Sequence, residues 1–478
     1  MHLADAFRLD RSARLALVGA GGKSAALFRL GRELSQPASP QQAETGLLRT
    51  PLNLSYAPRK NAGPAQTVLL AATTHLATSQ LALADHHFTL LGESDLAELL
   101  PNLPTGVLLF SGPAGDDERT AGLPEPLLEQ LRQYADLHGL PLLIEADGSR
   151  RRPLKAPAAH EPAIPPWVNT VVVVAGLSGL DQPLSAEWVH RPEEFTRLTG
   201  LLAGRPVSAD GLRRLLVHPQ GGLKGIPSTA RRLVLLNQAG IPELQAAAHG
   251  LAQPLLQDYS GVVVASLTLP ESKTDIDLDQ GVIAVHERVA GVILAAGGAR
   301  RMGQTKQLLA WHGQPLVQHV ARAALEAGLS PVIVVTGSNA ESVTAALQDL
   351  PVHSVHNPDW QAGQSGSVKV GLQALPAETG AVVFLLADQP HTPAQLIASL
   401  VEAHAATLSP LVAPLVQGQR ANPVLFDRIT FSELLSLSGD QGGRALFSRY
   451  RPHWVPWHDS AVLQDIDTPE DYQRLLDT

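Results

Sequence analysis

Cysteine is absent from the chain, and this absence removes several kinds of chemistry at once. The 478 residues also include only two methionines, and Phe, Trp and Tyr together make up 4%. Without a thiol the protein can form no disulfide, no zinc–thiolate site and no persulfide. Any sulfur or selenium chemistry that it serves must therefore take place on another molecule.

Long apolar runs and a surplus of basic residues are also missing. No segment approaches the roughly 20 consecutive apolar residues that a membrane-spanning helix needs. Residues 1–10 contain no apolar stretch of signal-peptide length, so we expect a cytoplasmic protein with no membrane partner. The net charge of −9 argues against a nucleic-acid partner, because a phosphate backbone requires a broad basic face.

The length predicts two domains, because a single hydrophobic core stops growing near roughly 250 to 300 residues. A polar, turn-rich segment at 268–288 precedes a new apolar run and indicates the boundary. We therefore expect domains at 1–288 and 289–478. Residues 36–66 carry five prolines with little apolar periodicity, which indicates a surface insertion in the first domain.

Both halves alternate short β-branched runs with amphipathic segments, which predicts an α/β fold with parallel sheets and helices on their faces. The predicted strands are 15–18, 68–72, 107–110, 142–145, 171–175 and 233–236 in the first half, and 292–295, 332–336 and 382–386 in the second. A helix is predicted up to Leu34, and another from Leu316, after Pro315, to a stop at Gly328.

The second half opens with a strand that breaks into glycines and then three cations. Gly297, Gly298 and Gly303 are expected to adopt positive φ and bring backbone N–H groups close to a ligand. The cations that follow the strand are Arg300, Arg301 and Lys306. Cationic side chains on a glycine-rich turn can neutralise phosphate oxygens, so the segment predicts a triphosphate site. The alternative is an ordinary tight turn with solvated basic residues.

Carboxylates follow at two later points in the second half. Asp388 stands at the carboxyl end of the predicted strand 382–386, where open α/β sheets bind ligands. Asp465 and Asp467 share one side of an extended segment before a helix that Thr468 can cap. Mg²⁺ prefers one or two carboxylates together with phosphate oxygens and water, so we predict a magnesium site. The alternatives are that Asp388 caps a helix and that the later aspartates are solvated residues favoured by a helix dipole.

The first half begins with a second phosphate-type segment, Gly-Ala-Gly-Gly-Lys-Ser at 19–24, between a strand and a helix. It is a P-loop variant, because the full motif would require glycine at Leu17. The predicted phosphate-binding residues are Gly19, Gly21, Gly22, Lys23 and Ser24, with Lys23 on the terminal phosphates and Ser24 on Mg²⁺. The alternative is a purely structural glycine-rich turn.

Downstream polar residues are expected at the same sheet edge as this loop. Thr-Thr-His at 73–75 follows one predicted strand, and Glu145 and Asp147 follow another; either carboxylate could hold a metal or orient water. A cationic segment comes next, with Arg150, Arg151, Arg152 and Lys155. It is interpreted either as a solvated basic surface or as the binding site of an anionic ligand.

Several segments of the second half share one resemblance. They are Leu-Ala-Ala-Gly with Arg-Met-Gly within 294–303, Gln-Ser-Gly-Ser at 364–367, Leu-Ala-Asp-Gln-Pro at 386–390, Asn-Pro-Val-Leu-Phe at 422–426, Gly-Asp-Gln-Gly-Gly at 439–443 and Asp-Ile-Asp-Thr-Pro-Glu-Asp at 465–471. Together they resemble the molybdenum cofactor cytidylyltransferase family, MocA, over about residues 289–478. The resemblance implies a Rossmann-like nucleotidyltransferase domain of the MobA-like type.

This resemblance also implies a reaction, the transfer of CMP from CTP to molybdopterin with release of pyrophosphate. The implied residues are the backbone of Leu294, Ala295, Ala296, Gly297 and Gly298 for the nucleotide, Arg301 and Lys306 for the triphosphate, and Asp388 with Asp467 for Mg²⁺. Ala296 stands where the guanylyl-transferring MobA relatives have glycine, which favours CTP. The alternatives are a guanylyltransferase and a sugar-phosphate nucleotidyltransferase.

Several segments of the first half share a second resemblance. They are Gly-Ala-Gly-Gly-Lys-Ser at 19–24, Thr-Thr-His at 73–75, Glu-Ala-Asp-Gly-Ser-Arg at 145–150, Pro-Leu-Lys-Ala-Pro at 153–157 and His-Glu-Pro-Ala-Ile-Pro at 160–165. Together they resemble the YqeC family, whose members are described as accessory proteins of selenium-dependent molybdenum hydroxylases. Together with the P-loop variant, the resemblance implies a P-loop-like NTP-binding domain, which we expect to use ATP or GTP in a further step of cofactor maturation. The alternative is a nucleotide-gated carrier that hands the cofactor to a molybdenum hydroxylase apoenzyme and catalyses no bond change.

Overall fold

The computed structural model describes residues 1–36, 66–115, 118–278, 281–298, 302 and 304–477. These residues form two compact units, Met1–His286 and Glu287–Thr478, and both are mixed α/β structures. Most of the predicted insertion, residues 37–65, lies outside the described residues. In the part of the chain that is described, no helix is long and apolar enough to cross a bilayer.

Helices and strands alternate along the first unit. The helices are α1 (Leu3–Ala6), α2 (Lys23–Ser35), α3 (Glu93–Leu99), α4 (Glu125–His138), α5 (Pro192–Thr199), α6 (Ala209–Val217) and α7 (Pro242–Leu255). The strands up to the boundary are β1 (Arg14–Gly19), β2 (Val68–Ala72), β3 (His86–Thr89), β4 (Val107–Ser111), β5 (Leu142–Glu145), β6 (Leu154–Lys155), β7 (Thr170–Gly176), β8 (Val189–His190), β9 (Arg231–Asn237), β10 (Gly261–Ala265) and β11 (Val282–Glu287).

The main sheet has the strand order β11-β10-β9-β7-β1-β5-β2-β4-β3 within the described residues. The pairings from β10 to β3 are parallel, as the alternation of strands and helices predicts. In the register of β1 and β5, Leu17 lies beside Glu145. The carboxyl ends of these two neighbouring strands therefore meet at one edge of the sheet, and the glycine loop after β1 lies next to the polar residues after β5.

The second unit continues the alternation. Its helices are α8 (Leu316–Glu326), α9 (Ala340–Ala346), α10 (Gln364–Gln373), α11 (Ala394–Thr407), α12 (Phe431–Ser436) and α13 (Pro469–Leu476). Its strands are β12 (Val289–Ala295), β13 (Ala310–Trp311), β14 (Gln314–Pro315), β15 (Val332–Thr336), β16 (His353–His356), β17 (Ala381–Leu386), β18 (Leu411–Val416), β19 (Gln419–Arg420), β20 (Val424–Asp427) and β21 (His453–Trp457).

The sheet of the second unit is mixed, so the prediction of a purely parallel sheet is wrong here. Strand β12 pairs in parallel with β15 and β17, but β20 is antiparallel to both β17 and β18. The chain reverses after β18 through Gln417 and Gly418, whose φ values are 50° and 78°. A two-residue turn of this kind joins antiparallel strands without a crossover helix, and no periodicity in the sequence announces it.

The predicted strands are all present, and most are longer by one to three residues. Their apolar runs are buried, as in β7, where every residue is buried. Buried parallel strands with helices on both faces require such continuous apolar runs. Strands β3 and β16 are largely solvent-exposed and polar, and their sequences therefore carry no apolar signal.

Candidate functional site

The loop after β12 forms one wall of a cleft in the second unit. Gly297 and Gly298 do not have positive φ, so that prediction is wrong for both. A Cβ on Gly298 would lie 2.7 Å from the Trp360 ring, and glycine is needed there for close approach. Gln307 holds the loop, since its Nε2 donates to the carbonyl oxygens of Ala295 and Gly297 at 3.2 and 3.0 Å. The predicted contributions of Gly303, Arg300 and Arg301 lie outside the described residues.

The structure brings Lys306, Asp388 and Asp467 together. The Lys306 Nζ donates to Asp388 Oδ2 at 3.0 Å and to Asp467 Oδ1 at 2.5 Å. Burial opposes the charge on Lys306, but the attraction of Asp388 and the hydrogen bond to Asp467 outweigh it and raise its pKa. The two carboxylates thus face one cation.

The structure excludes a helix cap at Asp388, whereas Asp465 is exposed and the Asp467 side chain is 49% exposed just before a helix, as the solvated alternative also predicts. The helix after Asp388 is α11, which begins beyond Pro393 and has no side-chain cap. Thr468 caps α13 as predicted, and Asp471 completes a capping box. Asp467 takes no part in the cap through its side chain and is directed to Lys306.

The third carboxylate of this region is held by a residue that the sequence did not indicate. Gln389 is buried, and its Nε2 donates to Asp465 Oδ1 at 2.5 Å. Burial raises the pKa of Asp465, and the nearby charges of Asp388 and Asp467 act in the same direction. Within the described residues, no group of three or more His, Asp or Glu side chains has a metal-binding arrangement, so the candidate ligand set is the pair Asp388 and Asp467.

Two clefts adjoin at this edge of the sheet. The first, with a volume of about 640 Å³, is lined by 296–298, 306–307, Trp360, Gln364, Ser367 and Asp388. The second, of about 600 Å³, shares Leu294, Gln364, Leu386 and Asp440 with the first. The region 364–367 forms the start of α10, where Ser365 Oγ donates to the Gly439 carbonyl at 2.7 Å. This contact fixes the loop at 439–443 beside the clefts.

In the first unit the three loop glycines have positive φ, at 93° for Gly19, 87° for Gly21 and 133° for Gly22. Added Cβ atoms would lie 2.3 Å from the Val174 carbonyl, 2.4 Å from Gly176 and 2.1 Å from the Asn237 amide nitrogen, respectively. Glycine is therefore required at each position for both conformation and space.

Asn237 is a site residue that sequence reasoning missed. It is fully buried at the end of β9, donates to the Gly21 carbonyl at 2.8 Å, and accepts from the Leu267 N–H at 2.7 Å. It therefore fixes the glycine loop in place. A polar residue that ends a buried apolar strand was the available signal.

The predicted polar residues of the first unit converge on this loop. Lys23 Nζ donates to the Gly19 carbonyl at 2.7 Å and lies 3.3 Å from Asp147. Asp147 also accepts from the Gly19 N–H at 3.1 Å, and Ser24 Oγ donates to Glu145 at 2.8 Å. Burial is the largest influence on Glu145 and raises its pKa.

The cationic segment divides into a buried residue and an exposed group. Lys155 is buried between Asp147 and Glu161, at 2.7 and 2.8 Å, so it is not part of a solvated surface. Arg150 and Arg151 are exposed and have positive φ, at 49° and 60°. They line a cleft of about 950 Å³ together with 21–24, Glu145 and Gln238.

Comparison with known proteins assigns both units to families. A model of the MobA-like NTP transferase domain matches residues 291–454, and a model of the YqeC protein matches residues 57–193. The chain belongs to the MobA-like NTP transferase family. It carries in addition a YqeC domain, and the predicted combination of the two domains in one chain is confirmed.

Three relatives illustrate these matches. Nicotine blue oxidoreductase of Paenarthrobacter nicotinovorans is 34% identical over 39% of this chain and 96% of its own length. The purine catabolism protein PucB of Bacillus subtilis is 32% identical over 39% of this chain and 94% of its own length. The uncharacterized protein YqeC of Escherichia coli is 42% identical over 24% of this chain, but the match spans only 45% of that protein. The family assignment supports a nucleotidyltransferase.

Proposed function

We propose that the second unit transfers CMP from CTP to molybdopterin and so matures the molybdenum cofactor. The observation that carries this proposal is that Lys306 and Asp388 line the cleft beside the loop 296–298 and that Asp467 contacts the same ammonium group of Lys306. A nucleotidyl transfer needs a cation for the triphosphate and carboxylates for a divalent ion at the same point. The MobA-like family match supports the same class of reaction.

The chemistry requires no protein nucleophile. An oxygen of the acceptor phosphate forms a bond to the α-phosphorus of CTP, and the bond from that phosphorus to the bridging oxygen of pyrophosphate breaks. Backbone at Leu294–Gly298 positions the nucleotide, and Lys306 neutralises charge on the phosphoryl oxygens. Mg²⁺ fits the donor set of Asp388 and Asp467 and would supply further neutralisation of the triphosphate. Arg301 is proposed to assist Lys306 on the grounds of its sequence position.

The choice of CTP rests on Ala296 and on the resemblance to cytidylyltransferases. The test is to incubate the full chain with Mg²⁺, molybdopterin and either CTP or GTP, and to measure pyrophosphate release together with the mass of the pterin product. We expect the CMP adduct with CTP and little product with GTP. A GMP adduct would show that the protein is a guanylyltransferase. Transfer to sugar phosphates but not to the pterin would contradict the proposal that molybdopterin is the acceptor.

A second candidate is an oxidoreductase, because one relative of the second unit carries that name. Hydride transfer to a substrate has no evident need for two carboxylates around a lysine, so the cluster at Lys306 favours nucleotidyl transfer. The two candidates separate in one assay. Oxidation of NADH or NADPH by the full chain, without pyrophosphate release from any nucleoside triphosphate, would support the oxidoreductase.

For the first unit we propose that the loop 19–24 binds the phosphates of ATP or GTP. The three glycines with positive φ, the buried Lys23 and the contact of Ser24 with Glu145 support this proposal. Glu145 and Asp147 are proposed as metal ligands or as groups that orient water. The bound nucleotide would serve an accessory step in which the cofactor passes to a molybdenum hydroxylase apoenzyme.

The corresponding experiment uses the full chain and a Lys23→Ala variant. We expect ATP or GTP to bind the intact protein and the Lys23→Ala protein to bind at least tenfold more weakly, since a charge-assisted contact to phosphate is lost. Release of γ-phosphate would indicate an enzyme, whereas binding without hydrolysis would favour the carrier. Equal binding by both proteins would contradict the phosphate role of this loop.

A further inference from the structure

The second cleft of the second unit is lined by two arginines that have no role in the reaction proposed above. Arg420 ends the short strand β19, and Arg444 lies on the 3-10 helix Gly443–Ser448. Both line the cleft of about 600 Å³ that adjoins the nucleotide cleft. We refer to Arg420 and Arg444 as the arginine pair.

Neither guanidinium of the arginine pair makes a hydrogen bond or an ion pair with a residue that the structure describes. The Arg420 Cζ lies 4.6 Å from the centroid of the Phe447 ring, and this stacking fixes the direction of the side chain. Arg449, five residues beyond Arg444, is different because it is paired with Glu433 at 2.7 Å. The arginines of the cleft thus retain their hydrogen-bonding capacity, whereas a neighbouring arginine outside it does not.

The two positive groups are also close enough to repel each other. Burial lowers the pKa of Arg420, and the charge of Arg444 adds to this effect. Of the two aspartates in the same cleft, Asp465 already accepts from Gln389, and Asp440 makes no ion pair with either arginine. Arg420 is only partly exposed and has no ion-pair partner among the described residues, and a dianion bound by both guanidinium groups would offset their mutual repulsion.

The floor of the same cleft is apolar. It consists of Leu294, Val368, Phe384, Leu386, Val424 and Phe426. Leu294 and Leu386 also line the nucleotide cleft. A molecule on this floor therefore lies beside the nucleotide and has the arginine pair within its own cleft.

We propose that the arginine pair binds the phosphate of the acceptor, a phosphomonoester attached to a flat heterocycle that lies on the apolar floor. This inference rests on the proposed function, because it names the residues that select the acceptor. Two guanidinium groups match the geometry of a phosphate dianion, each through paired N–H donors. The apolar floor contributes affinity for the heterocycle, but this contribution is the same whether or not the ligand carries a phosphate.

The test compares two probes, a 6-substituted pterin phosphomonoester and the same pterin without phosphate, by the change in pterin fluorescence on binding to the full chain. We expect the phosphorylated probe to bind at least tenfold more tightly to the native protein. Arg420→Gln and Arg444→Gln should each reduce this preference, and the double variant should abolish it. The matched control is Arg449→Gln, which should retain the full preference.

The experiment measures binding of the probes and not nucleotidyl transfer, so its result does not depend on the proposed reaction. A preference for the phosphorylated probe that survives both substitutions would overturn the inference, as would equal binding of the two probes to the native protein. CTP binding serves as the folding control, because the arginine pair lies outside the nucleotide cleft. If the native protein shows the preference but transfers no nucleotide to molybdopterin, the proposed reaction fails while the phosphate site stands.

Discussion

The ammonium group of Lys306 lies 3.0 Å from Asp388 Oδ2, although the two residues are 82 positions apart in the sequence. Asp467, from a third segment, contacts the same ammonium. The carboxylates that we propose as metal ligands are thus occupied by the cation that we propose for the triphosphate. A divalent ion held by Asp388 and Asp467 would compete with Lys306 for these carboxylates and would leave its ammonium group free to contact the phosphates.

This competition predicts that Lys306→Met binds Mn²⁺ more tightly than the native protein in the absence of nucleotide. Removal of a positive charge this close to the carboxylates should make Mn²⁺ binding more favourable by more than about 1.4 kcal/mol at an effective dielectric constant of 20. This free energy corresponds to an affinity at least tenfold higher. Free Mn²⁺ can be measured by electron paramagnetic resonance. Arg322→Met, at an exposed position on α8, is the control, and unchanged Mn²⁺ affinity in Lys306→Met would refute the competition.

Asp388→Ala should abolish pyrophosphate release while CTP still binds. In the proposed mechanism the loop 294–298 would hold the nucleotide through its backbone, whereas loss of Asp388 would remove a ligand of the metal that stabilises the transition state, with an expected fall in rate of about a hundredfold or more. Rates and CTP affinity are measured on the same preparation. Asp349→Ala, which changes an exposed aspartate of the same unit, should behave like the native protein. An active Asp388→Ala protein would remove this residue from the mechanism.

Gly19→Ala should destabilise the first unit more than Gly139→Ala. Both glycines have positive φ, at 93° and 61°, but only at Gly19 would the new Cβ meet backbone, 2.3 Å from the Val174 carbonyl. The conformational cost is about 1 kcal/mol at Gly139, and overpacking adds about 1–3 kcal/mol at Gly19. The unfolding temperature of the first unit is measured for both variants. Equal decreases in this temperature would show that the loop at Gly19 relaxes around the added methyl group.

The stability of the first unit should fall in acid through Glu161. Burial opposes its charge, but hydrogen bonds from Arg191 and Lys155 prevail and lower its pKa from 4.5 to about 2. A carboxyl with a depressed pKa stabilises the fold fully above its unfolded value, so this contribution is present above pH 4.5 and is lost as the pH falls toward 2. Unfolding temperatures of native and Glu161→Gln proteins should differ most above pH 4.5 and converge below it. A constant difference across this range would contradict the assignment.

The amino-acid sequence by itself determined the local structure of this protein. Buried apolar runs marked six strands of the first unit and three of the second, Thr468 and Pro469 marked the start of α13, and the glycines at 19–22 marked a tight loop. These features depend on burial, backbone conformation and hydrogen bonds between near neighbours, all of which leave a pattern in a short segment. Exposed polar strands such as β3 and β16 leave no such pattern.

Only the tertiary structure decided which distant residues meet. Residues 306, 388 and 467 lie on three segments that the sheet brings to one edge, and Asn237 reaches the glycine loop from another strand. The arginine pair stands in a cleft whose antiparallel part the sequence did not predict. The role of Gly298 likewise depends on the Trp360 ring and not on its own φ. Such contacts depend on the order of strands in a sheet, and many orders are compatible with the same succession of strands and helices.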